Sequence, residues 1–466
     1  LDIKENIMFD TADTIAAIAT PPGESGIGII RLSGTKAYAV GDAIFRSHSQ
    51  IPLAQRPDRS IQYGTIVDEQ NRSIDEVLLL IMKGPHSYTA EDVLEIQCHG
   101  SRQSLEEILS LVLRSGARLA EPGEFTQRAF VNGRIDLAQA EAVMDIIQAK
   151  SNAGLSTAVE QLSGRLSRLV REMRGHLTDF ITRLEVMIDY PEEDLEDIAV
   201  PDIAASLRDM EQRMQQLLAD SRRGRLIRDG VVAAITGTPN AGKSSLLNQL
   251  LQEDRAIVTA IPGTTRDSIE AWITIQGIPV CLVDTAGIRH TADVIEQIGV
   301  NRARQYMDKA DIVLVMVDAS RPLQQADLDI LEETRSKDAI ILLNKSDLPP
   351  VIAAVDVQQY GHPILSLAAA SGAGIRELEQ KILDMTLHQG ILEGQNAMLT
   401  NTRHIELMRQ SQEALHQALE TIEDGMPLDC AIVDIRRAWE FLGLITGDAA
   451  SSDIVTEIFS RFCLGK

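Results

Sequence analysis

The sequence predicts a multidomain chain of α/β and all-α parts, with a parallel α/β unit inserted into a helical domain and an α+β domain ahead of both. Three observations predict it. Residues 231–387 alternate β-branched strand runs with helical stretches, the pattern of a parallel sheet covered by helices. From Gln127 to Ser221 the pattern is helical and nearly strand-free, and it turns helical again from about Asn401. Residues 9–125 mix short strand runs with turns. A chain of 466 residues is also too long for one core, so about two to four domains are expected. The division reads as 9–126 for the α+β domain, 127–222 and 388–466 for the two helical parts, and 223–387 for the α/β unit.

Taken in order, strands are expected at Thr14–Ala19, Gly28–Leu32, Val77–Met82 and Val93–Gln97, with an amphipathic helix at Leu105–Arg114 closed by Gly116. Leu207, Met210, Met214, Leu217 and Leu218 share one helical face, as in a bundle. Val231–Ile235, Val280–Val283, Ile312–Val317 and Ile340–Leu343 read as buried strands. In the tail, Ile405, Met408, Leu415, Leu419 and Ile422 form another stripe. Each helical part alone offers little core, which favours one discontinuous domain over two separate pieces.

Composition narrows the function. A net charge of -24 with 3% aromatic residues argues against sequence-independent nucleic-acid binding, which needs clustered cations and stacking platforms. Arg222, Arg223, Arg225 and Arg228 form one local basic patch, readable as a nucleic-acid contact or equally as a solvated linker. The acidic run from Asp189 to Asp197 reads as a solvated loop. No apolar run reaches the ~18 residues of a membrane helix. Cys98, Cys281, Cys430 and Cys463 show neither metal-ligand nor disulfide spacing. A cytoplasmic protein that does not cross a membrane is the expectation.

The chemistry-bearing motifs lie in the α/β unit. After the Val231–Ile235 strand comes Gly237-Thr238-Pro239-Asn240-Ala241-Gly242-Lys243-Ser244-Ser245, a G-x-x-x-x-G-K-S loop. Its glycines let backbone N–H groups turn towards phosphate oxygens at a helix N-terminus, where the dipole favours anions. Lys243 can reach the β and γ phosphates, and Ser244 can ligate Mg²⁺. Gly263-Thr264-Thr265-Arg266-Asp267 follows, then Asp284-Thr285-Ala286-Gly287 at a strand end. Asp284 can hold Mg²⁺ through water, and the Gly287 N–H can sense the γ phosphate. Asn344-Lys345-Ser346-Asp347 then selects the base. Asp347 can accept two hydrogen bonds from guanine N1–H and the N2 amine; adenine would leave that carboxylate unpaired. Four motifs in this order predict a GTPase. Where small regulatory GTPases place a water-orienting Gln, this chain has Ile288, so another group must orient water. Glu296, Arg289 and Arg266 are the nearby polar candidates.

The flanks carry further signatures. They include Asp13-Thr14-Ile15-Ala16-Ala17-Ile18-Ala19-Thr20-Pro21-Pro22-Gly23, the Gly28–Gly34 run and Tyr88-Thr89-Ala90-Glu91-Asp92-Val93-Leu94-Glu95. Glu121 to Arg134, Asp136-Leu137-Ala138-Gln139-Ala140-Glu141-Ala142 and the ending Phe462-Cys463-Leu464-Gly465-Lys466 complete them. With the Gly237–Asn248 loop, they make the chain resemble the tRNA uridine-modification GTPases of the MnmE (TrmE) family over essentially its whole length. The resemblance implies an N-terminal dimerisation domain similar to folate-binding one-carbon enzymes, a discontinuous helical domain and an inserted G domain. It implies a homodimer that forms a heterotetramer with the flavoprotein MnmG (GidA), with FAD and NADH on that partner. Together such proteins place an aminomethyl or carboxymethylaminomethyl group on C5 of the wobble uridine of certain tRNAs. The one-carbon unit would come from 5,10-methylene-tetrahydrofolate, with 5-formyl-tetrahydrofolate as a related ligand.

Carried over by position, the resemblance implies that Arg31, Glu95 and Arg134 line a folate pocket approached by Lys466. On residue pattern alone, Glu95 reads as the outward residue of an alternating strand. Asn240, Thr259, Ile261 and Thr264 would bind K⁺ beside the phosphates. Glu296 would position the attacking water, and Thr265 would join Ser244 on Mg²⁺. The implied GTP contacts run through Asn240, Ala241, Gly242, Lys243, Ser244, Ser245, Thr259, Thr264 and Thr265. They continue through Asp284, Thr285, Ala286, Gly287, Asn344, Lys345 and Asp347. The supporting guanine loop departs from the family's Ser-Ala-Lys-like motif and reads Ala368-Ala369-Ala370; a backbone N–H contact to guanine O6 survives that change. Cys463 reads either as a nucleophile on uridine C6 that activates C5, or as a buried structural thiol. A ribosome-assembly GTPase without modification chemistry and a folate-dependent aminomethyltransferase needing no flavin partner are the competing functions.

Overall fold

The computed structural model describes residues 13–189, 196–252, 256–257, 270–284, 306–387 and 399–465. Among these, the chain divides into two compact units. One comprises Leu1–Met144, Gln161–Ile203 and Glu413–Lys466; the other comprises Asp145–Glu160 and Ala204–Gln412.

The first unit is built on a seven-stranded sheet. Its strands are β1 Ile15–Ile18, β2 Ser25–Ser33, β3 Phe45–Arg46, β4 Ser60–Val67, β5 Ser73–Met82, β6 Val93–Gly100 and β7 Arg118–Leu119. They lie in the order β3-β4-β5-β6-β2-β1-β7, antiparallel except for the parallel β1–β7 pair. Successive side chains on a strand face opposite ways, so alternation decides which residues enter the core. On β2, Ile30 and Leu32 join a core with Leu94 and Ile96 of β6. That core is covered by α1 (Ala37–Ile44) and α2 (Arg102–Arg114). Ser101 caps α2 by accepting the Ser104 N–H at 3.1 Å, so the helix starts ahead of its first apolar residue, Leu105. Arg31 and Glu95, one residue out of phase, fall on the other face and directly opposite each other. There Ile15, Ala17, Ala120 and Phe125 make a smaller cluster.

The helical part of this unit follows the heptad-like spacing of its apolar residues. On α6 (Arg165–Asp189), Leu166, Val170, Met173, Leu177, Phe180, Leu184 and Met187 recur every three or four residues and are all buried. This helix packs against Leu428–Thr446, far along the chain. Glu185 pairs with Arg436, Arg174 pairs with Asp448, and the Arg174 guanidinium lies 4.0 Å from the Trp439 ring centre. Helices before and after the α/β segment therefore share one core, as a discontinuous domain requires.

The second unit holds a second seven-stranded sheet. Its strands are β8 Val231–Gly237, β9 Ala256–Ile257, β10 Glu270–Ile275, β11 Ile278–Asp284, β12 Ile312–Asp318, β13 Ala339–Asn344 and β14 Ile364–Ser366. The order is β14-β13-β12-β8-β11-β10-β9, with β14 to β11 parallel and the last two strands antiparallel. Every residue of β12 and β13 is buried, as expected for parallel strands covered on both faces. β8 lies between β11 and β12, both later in sequence, so its C-terminal end is a topological switch point, where open α/β sheets bind ligands.

A buried ion cluster ties α3 (Glu124–Val131) to the first sheet. Arg128 donates to Asp13, Glu91 and Glu124, and Arg118 bridges Asp13 and Glu124. Burial alone would raise the Glu124 carboxyl, but Arg118, the Glu121 N–H and Arg128 hold it below its ordinary value. Asp13 is lowered against its own burial by Arg118 and Arg128. Folded-state values below the unfolded ones mean stability that is present above pH ~4 and lost as pH falls through the folded values. Arg128→Met should therefore lower the melting temperature at pH 7, because it strands buried carboxylates. Between pH 6 and 3.5, by thermal denaturation, the wild type should lose more stability than the variant.

Candidate GTP site and a second polar pocket

From the last residue of β8 the chain turns through three residues at positive φ: Gly237 at φ 147°, Asn240 at φ 64° and Gly242 at φ 104°. α8 (Lys243–Gln252) begins immediately afterwards. The Ala241 N–H bonds to the Thr238 carbonyl, whereas the N–H groups of Asn240, Gly242, Ser244 and Ser245 have no acceptor among the described residues. A row of unpaired donors at a helix start is an anion cradle. Lys243 is buried, and its Nζ donates to the Gly237 and Thr238 carbonyls at 2.6 and 2.9 Å. Its ammonium thus lies along the loop that phosphate would occupy. Ser244 is exposed at the helix start, where Mg²⁺ would bind.

Asn344, at the end of β13, joins this loop to the base-reading side. Its Nδ2 donates to the Ala241 carbonyl at 2.7 Å, and its Oδ1 accepts the Ala369 N–H at 2.9 Å. Lys345 sits at φ 65° with its Nζ on Asp318 at 2.6 Å. Burial alone would raise the Asp318 carboxyl, but Lys345 and Ser320 hold it below its ordinary range. Asp347 is exposed. The N–H groups of Ala368, Ser371 and Gly372 are used within the loop, and that of Ala369 is on Asn344. The exposed Ala370 N–H has no acceptor among the described residues, which suits it to a carbonyl such as guanine O6.

Asp284 ends β11 beside Ile235 of β8, at the same sheet edge as the glycine loop. Thr259, Ile261, Thr264 and Thr265 lie outside the described residues, as do Thr285, Ala286, Gly287, Glu296 and Lys466. So do Arg266, Ile288 and Arg289. In the basic patch, Arg228 is paired with Asp145 at 2.8 Å, so its charge is spent inside the protein.

In the first unit, Arg31, Glu95 and Arg134 do converge. Arg31 Nε donates to Glu95 Oε1 at 2.8 Å. The Tyr88 ring lies between the two arginines, 5.4 Å from Arg31 and 5.1 Å from Arg134 by guanidinium-to-centroid distance. Arg134 Nη1 also donates to the Tyr88 carbonyl at 2.6 Å, and the Tyr88 hydroxyl pairs with Thr126. The C-terminal tail reaches the same place, with the Gly465 carbonyl 3.4 Å from Arg31 Nη1. Cys463 has an exposed side chain, which removes the reading of a buried structural thiol; its carbonyl accepts the Gly123 N–H. Glu95 is buried, not outward as strand alternation implies, because α3 and Phe125 cover that face. Sequence reasoning missed Tyr88 and Phe125 as pocket residues. The signal available was an aromatic beside each quoted motif.

Strand, glycine loop, helix start and the Asn344-anchored base side together define a P-loop GTPase. Models of two domain families cover the flanks: the GTP-binding protein TrmE N-terminus matches residues 14–134 and the MnmE helical domain matches residues 137–463. The chain is 46% identical over 97% of its length to the tRNA modification GTPase MnmE of Lactiplantibacillus plantarum, covering 98% of it. The Clostridioides difficile protein of that name is likewise 46% identical, over 97% of this chain and 99% of that one. The G domain of the T. maritima FeoB iron transporter is similar at 29% identity over 33% of this chain and 98% of that chain, with a TM-score of 0.27. The chain belongs to the tRNA modification GTPase MnmE family, and it is a GTP hydrolase of tRNA modification.

Asp347→Asn should shift nucleotide preference from guanosine towards xanthosine nucleotides, because the xanthine C2 carbonyl pairs with an amide N–H. Competition binding measures this, and unchanged GTP affinity would remove Asp347 from the site.

Proposed function

We propose that this chain is a potassium-activated GTPase that acts with a flavin-dependent partner on the wobble uridine of certain tRNAs. The reaction would add an aminomethyl or carboxymethylaminomethyl group at C5, using a one-carbon unit carried by tetrahydrofolate. One observation carries the reading: Arg31, Glu95, Tyr88, Arg134 and the C-terminal tail, dispersed in sequence, meet at one pocket. Glu95 Oε1 is taken by Arg31, and Oε2 has no partner among the described residues. A pterin edge offers paired N–H donors to such a carboxylate, and Arg134 at the exposed rim suits a glutamate tail. Lys466, one residue beyond Gly465, would add a cation. Cys463, exposed on the docked tail, would add to uridine C6 and so raise electron density at C5.

In the second unit, Asn240 with Thr259, Ile261 and Thr264 would hold K⁺ beside the phosphates, supplying the positive charge that an arginine finger provides elsewhere. Ser244 and Thr265 would hold Mg²⁺. Glu296 would orient the water in place of the absent Gln. The domain division at 126, 222 and 387 is proposed on the same family basis. Ile61 and Tyr63 of β4 and Leu78 of β5 are exposed together on one sheet face, Tyr63 opposite Leu78. Such an apolar face supports a homodimer formed through the first unit. A heterotetramer with a flavoprotein binding FAD and NADH is part of the proposal, as is a cytoplasmic location. No helix among the described residues is long and apolar enough to cross a membrane.

Titration with 5-formyl-tetrahydrofolate should show binding to the wild type and at least ~10-fold weaker binding to Glu95→Ala, the scale of a lost buried charged hydrogen bond. GTP hydrolysis by the variant should stay intact. A wild type that binds no folate at millimolar concentration would sink the one-carbon reading. Separately, turnover should be faster in K⁺ than in Na⁺ at equal ionic strength, which holds screening constant. Equal rates would remove the potassium site.

A further inference from the structure

The glycine loop is braced from behind by a buried polar cluster outside the four GTPase motifs. The Thr238 hydroxyl donates to Asp327 Oδ1 at 2.7 Å. Arg321 Nη2 donates to the same hydroxyl at 2.9 Å and to Asp327 Oδ1 at 3.2 Å, while its Nη1 reaches Asp327 Oδ2 at 2.8 Å. The Gln324 N–H, at the start of the helix Gln325–Glu333, also donates to Asp327 Oδ2 at 3.0 Å. Thr238 and Asp327 are 5% and 3% exposed, so the hydroxyl has been withdrawn from water to make these bonds.

The cluster has a consequence at the phosphate side. The Thr238 carbonyl is one of the two acceptors of Lys243 Nζ among the described contacts. The ammonium carries three N–H donors, so it can turn towards a β or γ phosphate without giving up both of these carbonyls. The Ala241 N–H is a further tie on the Thr238 carbonyl, and Gly237 pairs with Met316 of β12. Asn344 anchors the opposite limb at Ala241. The Thr238 hydroxyl ties the first limb to Asp327 of the helix Gln325–Glu333. A loop whose unpaired N–H groups must converge on phosphate oxygens gains affinity when both limbs are fixed beforehand.

We propose that Asp327 and Arg321 are positioning residues for the phosphate-binding loop, acting through the Thr238 hydroxyl. They fix the first limb of the loop from behind.

The test uses the full chain and the fluorescent nucleotide mant-GDP. Thr238→Val removes the hydroxyl and keeps the side-chain shape; Thr238→Ser keeps the hydroxyl. Thr238→Val should bind mant-GDP about 10-fold more weakly, the scale of one charge-assisted hydrogen bond. Thr238→Ser should stay within about twofold, and both should melt within about 2 °C of wild type, no more than the shift from about 1 kcal/mol in a unit of this size. Wild-type affinity in Thr238→Val overturns the proposal, and so does equal weakening in both variants. Should Thr238→Val fold poorly, Arg321→Lys replaces it. A lysine keeps a cation beside Asp327 but cannot bridge it to Thr238 with a planar fork. Weaker mant-GDP binding without a melting shift in Arg321→Lys supports the proposal; wild-type affinity, or loss only in step with melting temperature, overturns it.

Discussion

The second unit depends on one carboxamide. Asn344 is buried at the end of β13, and its two polar atoms are spent on different loops: the donor on Ala241 and the acceptor on Ala369. The phosphate side and the base side are therefore set against each other by a side chain of fixed length. Gly242 is part of the same constraint. A Cβ there would lie 2.1 Å from Asn344 Nδ2, and the residue is also at positive φ. Any side chain at 242 would break the tie and strain the turn together. Lys345, in a left-handed conformation unusual for lysine, is held by Asp318 and so leads the chain out to the exposed Asp347.

The first unit solves a different problem with strand alternation. Ile30 and Leu32 fill the main core, and the intervening Arg31 necessarily faces away from it. Leu94, Glu95 and Ile96 repeat the pattern on the neighbouring strand, in register. Two charged residues are thereby delivered side by side to a face that α3 and Phe125 shield from water. An ion pair in that setting is costly to desolvate, and its strength as stabilisation is small. Its value lies in orientation: Arg31 holds one oxygen of Glu95 and leaves the other without a partner among the described residues.

Much of this was legible in the sequence because it is periodic or ordered. The buried strands at Val231, Val280, Ile312 and Ile340 announce themselves as unbroken β-branched runs, and the structure extends each only by residues at its ends. The glycine loop and Asn344–Asp347 motif were readable because backbone chemistry demands those residue types at those spacings. What stayed hidden was lateral. Nothing in the sequence places Asp327 behind Thr238, 89 residues earlier, or sets Tyr88 between two arginines. Those contacts follow from which strands are neighbours, and strand order is not a local property. Glu95 shows the same limit: alternation correctly sent it to the second face, but not the helix that buries it.

The tail makes the last dependence concrete. Gly465 has φ 86°, and a Cβ there would lie 2.4 Å from the Ile18 carbonyl, so the tail can lie against β1 only as glycine. Phe459 and Phe462 anchor the approach, packed at 5.1 Å between ring centres, with Phe459 6.2 Å from Phe130 at the end of α3. These aromatics belong to the cluster around Leu137 and Met144, so the tail is part of the helical core before it meets the sheet. The chain reaches that core only after running through the whole GTP-binding sheet and returning along Leu428–Thr446 to pack on α6. The Arg31 pocket is thus completed by residues that follow the GTPase segment, while its walls precede it. Either half of the chain alone would leave the Arg31 guanidinium without the Gly465 carbonyl, or the tail without its sheet. A GTPase segment placed between the two is covalently tied to both sides of the pocket, which is the arrangement that lets one chain carry both sites.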